Sequence, residues 1–177
     1  MSKDITQSSL ELLYSVSREL ANEIELRPLL KKILALAVLH VGAERASIVV
    51  LNEQNKPIDA AIMYGDKVYT HTVQQLRETL EKGMAGWVVR HHKAVMVNDT
   101  RQDERWVRRP DDETSRSGAK SALCVPLLAH RKLVGVLTVV HPQVDFFSME
   151  QLNLLQSIAD IAGTATMNAR LYGNSKQ

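Results

Sequence analysis

A chain of 177 residues with 45% apolar content is long enough to bury a sizeable core without staples, and aromatics at 5% leave that core to Leu, Val, Ile and Ala. Twenty-two basic against 20 acidic residues give a formal net charge of +2, too balanced for a nucleic-acid or membrane footprint. The single cysteine, Cys124, excludes an internal disulfide and a thiolate metal cluster.

The segment from about Ser8 to Glu25 reads as a helix with an apolar seam at Leu10, Leu13, Leu20 and Ile24, interrupted by Ser17. Arg27-Pro28 ends it, and a nearly all-apolar second helix runs from Pro28 to Val41, with Gly42 as its stop. Ala46–Leu51 and Pro57–Tyr64 read as a hairpin across the polar turn 52–56, closed by Gly65-Asp66. Helices are expected over Thr72–Glu81 and from Met84 to about His92, then a short strand over Ala94–Val97. A polar stretch, Asn98 to Gly118, separates this strand from a second hairpin, Ala119–Leu128 and Leu133–His141. Pro126 marks an edge or bulge, since it has no N–H for the ladder.

The last helix has the clearest start. Ser148 and Gln151 have capping-box spacing, and Phe147 and Leu152 are placed as a hydrophobic staple. Leu152, Leu155, Ala159, Ala162, Thr166 and Ala169 mark one face, and Gly173 is the expected stop. The N-terminal ten residues lack the apolar stretch of a signal peptide, and no apolar run reaches the ~18 residues of a membrane span. A soluble, cytoplasmic protein is therefore expected. The fold class is α+β: an antiparallel sheet of about five to six strands, with helices packed on its faces.

Several segments carry a family likeness in order: Gly83 to Val88, Val97-Asn98-Asp99, Ser121 to Leu127, Leu133 to Leu137, and Phe146 to Glu150 before the terminal helix. Together they resemble a GAF domain. The resemblance implies terminal helices on one sheet face, often forming a dimer bundle, and middle helices and a long loop covering a ligand pocket on the other. It divides the chain into a signalling and dimerisation helix (1–27), the GAF domain (28–172) and a tail (173–177). It also implies a regulatory role, a homodimer through the N- and C-terminal helices, and a separate output domain.

On that resemblance the ligand-binding candidates are Trp87, Asn98, Asp99, Trp106, Ser121 and Leu123. The choice of strand residues is open by one register step. The 98–118 loop carries Arg101, Arg105, Arg108, Arg109 and Arg116 among six acidic residues, so it reads either as a lid offering arginines to an anionic ligand or as a solvated loop. Trp106 is the expected anchor of that lid.

No catalytic residue and no metal site are expected, and the sequence names no cofactor. His91 and His92 are adjacent, and His40, His71, His130 and His141 lack ligand spacing. Cys124, between Leu123 and Val125 in a strand, reads as a small buried hydrophobe. The free methionine-sulfoxide reductases of the family need several cysteines, and a lone thiol has no resolving partner in the chain. The cyclic-nucleotide-binding relatives carry Asn-Lys, Phe and Asp-Glu where this chain has His141-Pro142, Phe146 and Glu150-Gln151. The lysine of that ion pair is a proline here. Three readings follow: a small-ligand sensor, an interaction module without a ligand, and a redox enzyme.

Overall fold

The computed structural model describes residues 2–65, 67–70, 83–106 and 121–175. Two helices, α1 (Ser2–Ala21) and α2 (Leu26–Val41), lead into the strands β1 (Arg45–Leu51), β2 (Pro57–Tyr64) and β3 (Lys67–Thr70). After α3 (Met84–His91) come β4 (Val95–Val97), a short 3-10 turn (Thr100–Gln102), β5 (Ser121–Ala129), β6 (Lys132–His141) and the long α4 (Met149–Ser175). The expected helix over Thr72–Glu81 and most of the expected 98–118 loop lie outside the described residues.

The six strands form one antiparallel sheet in the order β3-β2-β1-β6-β5-β4. Both expected hairpins are present. The tighter one turns on His130 and Arg131, whose positive φ values of 51° and 69° make the two-residue turn that matches strand twist. Pro126 lies where only β6 pairs with β5, because β4 reaches no further than Cys124. Beside it the β5–β6 register shifts at Leu127/Leu128, leaving Val134 as an extra residue on β6.

Strand alternation divides the sheet residues between two cores. On one face Ile48, Val50, Leu123, Val125, Leu137 and Val139 pack under α1, α2 and α4 through Leu20, Leu29, Leu30, Ile33, Leu34, Leu155 and Ile158. On the other, Ala122, Cys124, Val136 and Val140 pack with Val95 and Val97 of β4 and with Met84, Ala85 and Val88 of α3. Strand β5 therefore contributes alternate residues to both.

Several boundaries differ from the sequence expectation. Helix α1 starts earlier and ends at Ala21, and α2 begins at Leu26, so Pro28 falls at its third residue, where its missing N–H is an orphan in any case. Gly42 does stop α2, with φ 81° and its N–H bonded to the Val38 carbonyl at 3.0 Å. Gly83, with φ −100°, stands at the N-cap of α3. Gly173 does not end α4, which continues to Ser175. The capping box at the start of α4 is complete: Gln151 N–H donates to Ser148 Oγ at 3.2 Å, and Ser148 N–H donates to Gln151 Oε1 at 2.7 Å. Gln151 Nε2 also donates to the Val41 carbonyl at 2.9 Å, tying α4 to the end of α2.

Candidate functional site

The chain leaves β4 through two successive Asp-x-Arg units. Asp99 Oδ1 accepts from the Arg101 N–H at 3.0 Å, and its carboxylate takes the Arg101 guanidinium in two bonds of 3.0 Å. Asp103 repeats the arrangement with Arg105, at 2.9 Å from the N–H and at 2.9 and 2.6 Å from the guanidinium. Side chain and backbone are thus fixed together by each aspartate, the usual Asx-turn chemistry with a bidentate pair added. The hydrogen bond from Arg105 holds the Asp103 carboxyl below the ordinary carboxylate value, and Asp99 and Asp103 keep Arg101 and Arg105 more firmly charged. These two arginines are turned to their own aspartates and are not presented as a lid for an anion. Arg108, Arg109 and Arg116 lie outside the described residues.

Arg105 also covers Trp87, its guanidinium carbon 4.9 Å from the ring centroid. Trp87 in turn stacks on His91 at 4.1 Å. Trp87 and Trp106, both half-buried, pack against the apolar cluster between α3 and the sheet. Trp106 N–H donates to the Asp103 carbonyl at 3.2 Å, so the second aspartate unit places it.

Beside these units an open cleft of ≈ 300 Å³ is lined by Asn98, Asp99, Gln102, Asp103 and Asp145, with Met96, Val97 and Val144 as its apolar part. The turn after β6 makes its far wall. Asp145 N–H donates to the Asn98 carbonyl at 2.9 Å, joining the two walls. Ser121, wholly buried, donates from Oγ to the Gln143 carbonyl at 2.7 Å and so supports that turn from β5.

Of the six candidates, Asn98 and Asp99 line the cleft, Trp87 and Trp106 pack in the adjoining cluster, and Ser121 buttresses the far wall. Leu123 is the correction. It lies in the core under the helices, because the register places Ala122 and Cys124 on the α3 side. Cys124 is 1% exposed, with Sγ 3.2 Å from Thr138 Oγ1. Gln102, Asp103 and Asp145 were missed, although the repeated Asp-x-Arg spacing was a readable signal for the second unit. Among the described residues, no three His, Cys, Asp or Glu side chains are grouped to hold a metal ion.

Among the described residues, a six-stranded antiparallel sheet with terminal helices on one face, a short helix on the other and a cleft at the β4 edge defines an α+β domain. The chain belongs to the GAF domain family, whose model matches residues 25–166. It is 26% identical over 168 residues to a probable 3',5'-cyclic phosphodiesterase, pde-5, of Caenorhabditis elegans, covering 90% of this chain and 23% of that protein. It is 24% identical over 176 residues to the dual 3',5'-cyclic-AMP and -GMP phosphodiesterase 11A of Takifugu rubripes, covering 94% and 19%. The chain therefore spans about a fifth of those relatives.

Among solved structures, it resembles the GAF domain of a phosphoenolpyruvate-protein phosphotransferase from Coxiella burnetii, with TM-score 0.71, 16% identity and coverage of 94% and 96% of the two chains. It also resembles the free methionine-R-sulfoxide reductase of Neisseria meningitidis, with TM-score 0.70, 15% identity and coverage of 93% and 91%. These two likenesses are of fold. No helix among the described residues is long and apolar enough to cross a membrane.

Proposed function

We propose that the chain is a non-enzymatic, cytoplasmic regulatory GAF module that takes a small ligand at the cleft beside β4 and couples its occupancy to a helical layer through which two copies pair. The observation that carries this reading is the double membership of β5. Its Ala122 and Cys124 belong to the cluster next to the cleft, while Leu123 and Val125 belong to the core under α4. A ligand that moves the cleft side of β5 acts on α4 through adjacent residues, a short physical coupling between two sites.

Pairing of two copies is supported by Leu10 and Tyr14, one turn apart on α1 and 63% and 65% exposed, and by Leu171 on α4 at 52%. The non-enzymatic reading is supported against the reductase alternative by the buried state of Cys124 and by the want of any second thiol in the sequence. Matching a fifth of each phosphodiesterase relative supports a module that serves a separate output domain, with cyclic nucleotides among the candidate ligands.

Both tryptophans of the chain border the cleft-side cluster, so intrinsic fluorescence reports on this region directly. Titration with cyclic AMP, cyclic GMP, free methionine sulfoxide and the amino acids is expected to give one saturable change with a matching rise in Tm. An apo native mass spectrum together with no response across the panel would overturn the ligand reading. That outcome would favour an interaction module, a reading supported by the cluster under α3 being filled by its own side chains, with Val88 and Ala122 wholly buried.

A further inference from the structure

Among the described residues, three hydrogen bonds hold the turn that forms the far wall of the cleft. Ser121 Oγ donates to the Gln143 carbonyl at 2.7 Å, and Asp145 N–H donates to the Asn98 carbonyl at 2.9 Å. The third runs from the Gln143 N–H to Nδ1 of His141 at 3.1 Å. Neither the hydroxyl nor the peptide groups of the first two change protonation near neutrality. An imidazole nitrogen accepts a hydrogen bond only while it is unprotonated.

The His141 ring is clamped in the pose that presents this nitrogen. It lies flat on Phe146, with centroids 3.5 Å apart and planes within 2°, and Phe147 stands edge-on at 6.4 Å. Burial lowers the proton affinity of His141, and Glu44, at the junction of α2 and β1, opposes this more weakly. The turn contributes Asp145, β5 sets the uncharged Ser121 opposite His141, and the segment before α4 contributes the two phenylalanines.

We propose that His141 is a proton-operated latch on the cleft wall. Proton uptake at Nδ1 replaces the acceptor of the Gln143 N–H with a second N–H pointing at it. That hydrogen bond is lost and the proton stays on the imidazolium. Among the described residues the turn then keeps its bonds from Ser121 and to Asn98, and Val144 and Asp145 gain freedom. The cleft wall is ordered with neutral His141 and loosened as the pH falls below the ordinary imidazole value of about 6.5. The consequence for a ligand rests on the cleft reading above, but the latch itself does not.

The test is amide NMR on the full chain without ligand, from pH 5 to 8. The Gln143, Val144, Asp145 and Asn98 amides are expected to shift with one midpoint, equal to that of the His141 ring protons. The protection factor of the Gln143 amide, corrected for intrinsic exchange, is expected to fall about 5–10-fold across it, the worth of one ordinary hydrogen bond. In His141→Phe, which keeps a flat ring and deletes Nδ1, protection should be low and independent of pH. In His141→Asn, which restores an acceptor two residues before the N–H without titrating, protection should be high and flat. A His141 ring that titrates while these amides stay still would overturn the latch, as would amide shifts that persist in His141→Phe. Fluorescence titration at pH 7.5, where the latch is closed, judges ligand binding separately.

Discussion

Gly163 of α4 lies directly on the main chain of Leu128 in β5. A β-carbon at Gly163 would stand 2.9 Å from both the Leu128 carbonyl carbon and its nitrogen, and closer still to the carbonyl oxygen. This contact lets the helix lie on the backbone of the strand that also faces the cleft cluster. Gln156 Nε2, within 3.4 Å of the Pro126 carbonyl, and Arg170 Nη1, 2.6 Å from the Leu51 carbonyl, fix the same helix on either side of it.

Gly163→Ala should therefore destabilise the chain, against the usual trend. In an open helix the change from Gly to Ala gains about 1 kcal/mol. Here Leu128 backbone must yield, and overpacking costs about 1–3 kcal/mol. Gly173, on the same helix with open space around it, is the control: Gly173→Ala should be neutral or stabilising by up to about 1 kcal/mol. Urea denaturation of both variants decides this. A Gly163→Ala protein as stable as Gly173→Ala would mean that α4 shifts on β5 without strain.

Gly163 also shows where the sequence stops being legible. Its helix could be read from capping and periodicity, because Ser148, Gln151 and Leu155 act within one or two turns of each other. The need for a glycine came from Leu128, 35 positions away, and no local pattern carries it. The hairpins were equally readable from their β-branched runs. Strand β3 was not, since a four-residue edge strand is decided by its pairing with Ala61–Tyr64 and not by its own composition. At the site, the motif placed Asn98, Asp99 and both tryptophans near the cleft, but Leu123 failed on a single register step. The arginines were weighed as a net charge, while their pairing at i and i+2 with Asp99 and Asp103 decides what they offer.

Two acid steps in stability follow from the shifted groups. His141 has a folded proton affinity below its unfolded one, so its contribution is complete above about pH 6.5 and is lost as the pH falls through the lower folded value. Asp103 is likewise depressed, so the stability it adds is present above about pH 3.9 and is lost as the pH falls through its own folded value. Urea midpoints measured from pH 8 to pH 3 should therefore fall in two stages. His141→Phe should flatten the upper stage alone, and Asp103→Asn the lower stage alone. A single variant that removed both stages would show that the assignment is wrong.

The Arg105 contact on Trp87 predicts an optical change. Asp103→Ala removes the carboxylate that holds the guanidinium at 2.6 Å, and Arg105 then has no fixed reason to cover the ring. The indole becomes wetter, so the emission maximum should move to the red, with a loss of stability on the order of 1 kcal/mol for a partly exposed bidentate pair. Arg105→Lys should reproduce the red shift, since an ammonium cannot keep both carboxylate bonds and a flat contact with the ring. Emission spectra of the two variants against a Trp106→Phe background isolate Trp87. Unchanged spectra there would show that the guanidinium does not shield it.

Thr166 offers the opposite sign of effect. Its side chain is wholly buried on the inner face of α4, and among the described residues Oγ1 has no hydrogen-bond partner. A hydroxyl in that state loses its water without a replacement, a cost of about 1–3 kcal/mol. Valine has the same branching and nearly the same shape, and its χ1 preference suits a helix. Thr166→Val should therefore stabilise the chain by about 1 kcal/mol or more, visible as a higher urea midpoint at unchanged m-value. Thr166→Ala removes the unpaired oxygen but also a methyl from a filled core, and should gain less or lose stability. If valine destabilises while alanine does not, the site lacks room for the second methyl. If both destabilise by more than the lost methyl accounts for, the hydroxyl is bonded in solution and the unpaired state is wrong.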